Sequence, residues 1–174
     1  MLSRDPVLQM PGRRLVAEVR PESCVSCGIC AASCGDVCVG PPERSGREQL
    51  EQIEEFCSVE FPQPSPKAVT IITCKHNGRV PERWQEFATT RPDSHLYFAD
   101  CCGTVHTQVL ERLMQHCGGI FIHACPERNC FNRDGLELLT QRLFYKRVPF
   151  LSREIDRRRL EIDASSEQEV DEAL

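Results

Sequence analysis

The chain has no apolar run approaching the ~18 residues that a membrane helix needs. Its opening residues, MLSRDPVLQMPGRRLV, hold no apolar core of the kind a secretory signal carries. No G-x-G-x-x-G occurs, so a flavin or nicotinamide bound by this chain alone is not expected. A nucleophile elbow is missing too, and no other motif demands a substrate site. Basic residues are not in excess. The formal net charge is −5, which argues against a general nucleic-acid or acidic-membrane binder, since both need a basic surface. The expected compartment is the cytoplasm, and any hold on a membrane would come through a partner subunit. Structural disulfides do not persist there.

What is present is cysteine: twelve among 174 residues. In a reducing compartment such clusters are usually metal or redox sites, while a minority serve as small packed apolar residues. The length suits one ordinary domain, or a small domain with a satellite.

The chain divides by composition. Residues 1–60 comprise a proline- and arginine-containing arm, a cysteine-rich stretch, and a helix with Leu50, Ile53, Phe56 and Cys57 on one face. The segment FPQPSPK, residues 61–67, reads as a stiff linker. Residues 68–150 alternate short β-branched runs (VTIIT, HLYFA, GIFIHA) with helical patterns. Pro81 suits the first turn of one helix. Val105, Val109, Leu110, Leu113, Met114 and Cys117 form the face of the next, and Asp134 with Glu137 resembles a capping box before a third. Strands alternating with helices predict an α/β fold, a small three-layer domain on a short parallel sheet. The nearly all-apolar strands fit a sheet covered on both faces. The charged residues 151–174 read as a solvated helix, a disordered tail or a docking element.

Cys24, Cys27, Cys30 and Cys34 stand as C-x2-C-x2-C-x3-C. That is the run of bacterial ferredoxins. A tight loop with Gly28, Ala31 and Ala32 lets thiolates reach the corners of one cubane, and zinc does not need three such short gaps in a row. A [4Fe-4S] cluster in a ferredoxin-like N-terminal module is therefore expected. Cys34 is favoured as fourth ligand, with Cys38 and Cys57 as alternatives.

A second group follows the strands. Cys74 comes straight after VTIIT, Cys101 and Cys102 after HLYFAD, and Cys125 after GIFIHA, with Cys130 five residues on. Parallel α/β sheets bind ligands beyond the carboxyl ends of their strands. The expected ligand set is Cys74, Cys102, Cys125 and Cys130, holding a [2Fe-2S] cluster or else zinc. Cys101 is the substitute for Cys102, because neighbours in an extended chain point opposite ways. Cys117 reads as a packed core residue on its helix. His76 and His106 lie near this edge, where either could donate to a sulfur or to a partner's flavin. His123 reads as structural.

At these residues the stretch from Val69 to about Phe150 resembles the delta (iron–sulfur) subunit of methyl-viologen-reducing hydrogenase. The segments TCKHNGRV, DCCGTV and ACPERNC carry the resemblance, and the C-x4-C of Cys125 and Cys130 is its most specific part. It covers about half the chain. One departure stands out: where that family has C-x2-C after the first strand, Asn77 replaces the second cysteine. If that cysteine is a ligand in the family, Cys101 or Cys117 must compensate, or the cluster is altered or absent. The resemblance implies a redox subunit docking on a flavin-containing, heterodisulfide-reductase-like subunit.

The expected function is thus electron transfer between that subunit and another redox partner in a multi-subunit oxidoreductase. One rival is a zinc-stabilised adaptor with a single [4Fe-4S] relay. Another is a thiol–disulfide oxidoreductase using Cys101 with Cys102, or Cys125 with Cys130. This last lacks the C-x-x-C at a helix start that lowers a thiol pKa.

Overall fold

A computed structural model describes residues 19–126, 129–130, 132, 134–166 and 169–170. The expected N-terminal arm lies largely outside these residues. The elements run α1 (Ile29–Ala32), α2 (Gly46–Glu60), β1 (Ser65–Cys74), α3 (Val80–Thr90), β2 (Ser94–Ala99), α4 (Thr107–Leu113), β3 (Cys117–His123), α5 (Gly135–Phe144) and β4 (Leu160–Asp163). The fold is α/β. Its four strands lie in the order β2-β1-β3-β4 and every pairing is parallel.

Strand alternation sorts the helices onto two faces. Phe121 and His123 of β3 meet Trp84 of α3, with ring centroids 5.3 and 5.7 Å apart. Ile72, Ile120 and Ile122 point the other way, into a core with Val109, Leu110 and Leu113 of α4 and Leu139 and Leu143 of α5. The α2 helix packs over α4 and adds Ile53 and Cys57 to that core. It opens with a capping box: Ser45 Oγ accepts from the Glu48 N–H, and the Glu48 carboxylate accepts from the Ser45 N–H at 2.7 Å. This accounts for the periodic face seen from Leu50 to Cys57.

Four expectations need correction. The connection expected over residues 61–67 is shorter, spanning only 61–64 between α2 and β1. Phe61 is buried, and β1 already begins at Ser65, whose N–H donates to the His116 carbonyl at 2.7 Å. Pro66 is tolerated in this central strand because β2 pairs only from Val69 onward, so no ladder bond is lost there. The helix expected to run to Cys117 ends at Leu113, and Cys117 instead opens β3. Gly118 follows it, so close to the Pro66 carbonyl that a side chain there would collide with β1. Asp134 makes no side-chain cap, since its backbone (φ −96°, ψ 13°) departs from the extended geometry of a capping residue. Finally, residues 160–163 of the expected tail form a fourth strand, with Leu160 buried against the core.

Candidate metal centre

The strand order makes β1 and β3 neighbours although β2 lies between them in sequence. Such a reversal opens a crevice beyond the carboxyl ends of the two strands. Cys74 is the last residue of β1, and Cys125 lies two residues past β3. Cys102 begins a single 3-10 turn, Cys102–Thr104, just beyond β2. Its Sγ sits 3.2 Å from Cys74 Sγ, and its backbone N–H donates to that same sulfur at 3.1 Å. The thiols of Cys101 and Cys125 reach Cys74 as well.

Cys101 and Cys102 thus both face the site. Cys101 is extended (φ −151°), but the chain turns at Cys102, so the alternation that would separate the two side chains is broken. Cys130 joins from the α5 side. A Cβ built on Gly135 would lie 2.9 Å from Cys101 Sγ and 3.4 Å from Cys130 Sγ. Gly103 in turn faces the Gly135 backbone, where an added Cβ would come within 2.6 Å of the carbonyl oxygen. Two glycines therefore let α5 start directly against the thiols. Cys74, Cys101, Cys102 and Cys125 are buried, and Cys130 is partly so.

Crowding governs the charge these thiols carry. Hydrogen bonds from the Cys101, Cys102 and Cys125 thiols, with the Cys102 N–H, hold Cys74 far below an ordinary cysteine. Each of those three is pushed well up, first by donating to Cys74 and then by burial. Cys74 is the sulfur that this arrangement favours as thiolate. Gathering more thiolates needs added positive charge.

Among the described residues no three His, Cys, Asp or Glu side chains surround a common point as ligands do. The thiols are folded onto one another instead. Sulfurs sharing a tetrahedral ion at ~2.3 Å stand about 3.8 Å apart, so the 3.2 Å pair would open by roughly half an ångström, within reach of side-chain rotation. The donor set itself is all sulfur, buried, cradled by glycine and served by a backbone N–H. It fits a thiolate-bound metal or cluster.

Asn77, where the resembled family has cysteine, is buried beside this group. Its Nδ2 lies 3.4 Å from both the Ala124 carbonyl and His123 Nδ1. Cys101 is placed to make up the thiol count. Cys117 is not: it lies at the opposite end of β3, donating to the Leu113 and Gly119 carbonyls at 3.2 Å. Cys57 shares that far end. It is buried in the core cluster rather than in the N-terminal array, and burial, reinforced by Cys117, pushes its thiol up to about 11.

In that array Cys24, Cys27 and Cys30 lie near one another. Burial pushes the Cys30 thiol up, and its two neighbours add to the rise. Cys34 sits 3.6 Å from Cys38, Sγ to Sγ. Burial pushes Cys34 up, but the Cys38 N–H and thiol and the N–H groups of Val39 and Asp36 outweigh it and hold Cys34 low. Gly28 supplies the left-handed turn (φ 80°) before α1, and Ala31 and Ala32 are fully buried.

The segments that carry the two cysteine groups touch. His106 Nδ1 accepts from the Gln108 N–H at 3.1 Å, which leaves its Nε2–H to donate to the Cys34 carbonyl at 3.0 Å. The imidazole thus serves a main-chain carbonyl rather than a sulfur, while His76 is exposed. Gln49 of α2 donates to the Thr104 carbonyl at 3.0 Å and accepts from the His106 N–H at 3.1 Å. Arg44 reaches the Ser26 carbonyl and Asp100, both at 3.5 Å. Asp100 is held low chiefly by the hydrogen bond from Lys75. A lone Gln49 or Arg44 carries no sequence signal for these roles. Arg142, described below, does: it falls three residues after Leu139 and one before Leu143, on the apolar face of α5.

Compared with protein families and with curated proteins, the chain matches none. Among the described residues no helix is long and apolar enough to cross a membrane.

Proposed function

We propose that the protein is an iron–sulfur electron-transfer subunit of a larger oxidoreductase. Cys24, Cys27, Cys30 and Cys34 would hold a [4Fe-4S] cluster. Cys74, Cys125 and Cys130, with Cys102 or Cys101, would hold a [2Fe-2S] cluster. When bound, such groups take up and release one electron at a time, and the protein sets their potentials through charge, hydrogen bonds and exposure. The chain's own residues bury the second group, direct the Cys102 N–H onto Cys74, and join the segments that carry the two thiol sets. The partner implied by the resemblance is a flavin-containing, heterodisulfide-reductase-like subunit, with a second redox partner on the other side.

The observation that carries this reading is the contact between the segments that bear the two cysteine groups. The turn that bears Cys101 and Cys102 ends in Thr104, whose Cγ2 would lie 3.2 Å from a Cβ on Gly28 in the first array. A zinc adaptor needs no such proximity, whereas a relay does.

The test is EPR and visible spectroscopy of anaerobically purified protein, before and after dithionite. Wild type is expected to give two reducible centres, and Cys74→Ser to lose one and keep the other. A second site that holds zinc and gives no reducible signal would favour the adaptor instead.

A further inference from the structure

Arg142 on α5 is wholly buried. One arm of its guanidinium is used: Nη2–H donates to the Gly103 carbonyl at 2.6 Å. Among the described residues Nε and Nη1 have no hydrogen-bond partner, and no carboxylate forms an ion pair with Arg142. Arg147 repels it, and Cys101 is near enough to attract it once that thiol is ionised. An arginine does not escape burial by losing its proton, and a buried charge without a partner is strongly unfavourable. This one sits directly beneath the turn that carries Cys101 and Cys102.

The thiol group has the opposite deficit. Cys74, Cys101, Cys102 and Cys125 are buried, and no cation other than Arg142 is buried among the described residues. Four thiolates around a divalent ion would carry a net charge of about −2, and a cluster on four cysteines is likewise anionic. Either would have to be buried at the head of α5.

We propose that Arg142 is the built-in counter-charge of the second centre, a positioning residue that holds the Cys101–Gly103 turn by one arm and offsets the thiolates with its charge. This rests on the reading of that site as a thiolate-bound metal centre. It explains why a cation stands at a core position of α5, and why its two remaining donors are left unpaired in the absence of other buried anions. A neighbouring positive charge favours the more reduced, more negative state, so it raises the reduction potential.

The test compares wild type, Arg142→Gln and Arg142→Lys. Zinc ion is the first probe, because it binds thiolates without redox change, and its affinity is read by chelator competition. The second readout is the midpoint potential of the iron-loaded protein. Arg142→Gln retains a donor for Gly103 but no charge. It is expected to weaken zinc binding at the second site about ten- to a hundredfold and to lower the midpoint potential, with Arg142→Lys recovering most of both. Equal affinities and potentials in all three folded proteins would overturn the proposal. Failure of Arg142→Gln to fold, with Arg142→Lys folded and binding as wild type does, would support it. Failure of both to fold would overturn it, leaving the fit of the guanidinium in the core as the role. Absence of zinc and iron binding in wild type would defeat the functional reading itself, and this inference with it.

Discussion

His106 donates its Nε2–H to the main-chain carbonyl of Cys34 across 3.0 Å, tying the head of α4 to the loop that closes the N-terminal array. The same ring caps the helix through Nδ1. His106→Ala removes both bonds and should cost about 2 kcal/mol, about one for a cap and one for a buried hydrogen bond. His106→Asn can still cap and should lose roughly half as much. Denaturant unfolding of the metal-loaded variants checks this, and equal stability of all three would contradict the link.

A Cβ on Gly135 would meet Cys101 Sγ at 2.9 Å and Cys130 Sγ at 3.4 Å. Gly135→Ala should push the thiols apart and empty the second centre while sparing the first. Metal analysis with EPR is the check. A variant that keeps full occupancy at both would show that the cradle yields easily.

The strand β4 closes one edge of the sheet. Ala124 donates its N–H to the Asp163 carbonyl at 2.8 Å, and the Asp163 carboxylate lies 3.3 Å from His123 Nε2. Removing residues 160–174 should destabilise the protein by about 3 kcal/mol or more, since Leu160 alone buries a leucine side chain. It should also loosen Cys125, the next residue after Ala124. Thermal unfolding and metal content report on both, and a truncated chain as stable as the whole would restore the reading of this segment as a solvated tail.

Glu48 gives a pH dependence of known sign. Hydrogen bonds from the Ser45 side chain and backbone hold its carboxyl below the usual range. The unfolded chain therefore binds this proton before the folded one does, and stability falls as pH drops through the glutamate range. Wild type should exceed Glu48→Gln in stability at pH 7, and the gap should close in acid. A gap that is unchanged from pH 7 to pH 3 would mean the carboxylate contributes nothing through its charge.

The sheet and its thiol-bearing edge were legible because each central strand ends in a short apolar run with a cysteine at its end or two residues beyond. The position of α2 was legible from the spacing of Leu50, Ile53, Phe56 and Cys57. Proline hid the start of β1, since its cost depends on how far β2 extends. The strand LEID was masked by the arginines before it, although Leu160 and Ile162 alternate as a strand requires. Which of Cys101 and Cys102 faces the site was not decidable from alternation, because a 3-10 turn begins between them and brings both in. The pairing of the two cysteine groups rests on His106, Gln49 and Arg44, whose contacts span 18 to 72 residues of sequence and leave no periodic trace.

The most direct test of the electron-relay account is to count iron, sulfide and zinc on anaerobically purified wild-type protein, with EPR after dithionite reduction. The account predicts about six irons and six sulfides per chain and two distinct reduced signals, the sum of one cubane and one two-iron cluster. About four irons with one zinc and a single reduced signal would contradict it, and would make the sheet's thiol group a structural metal site.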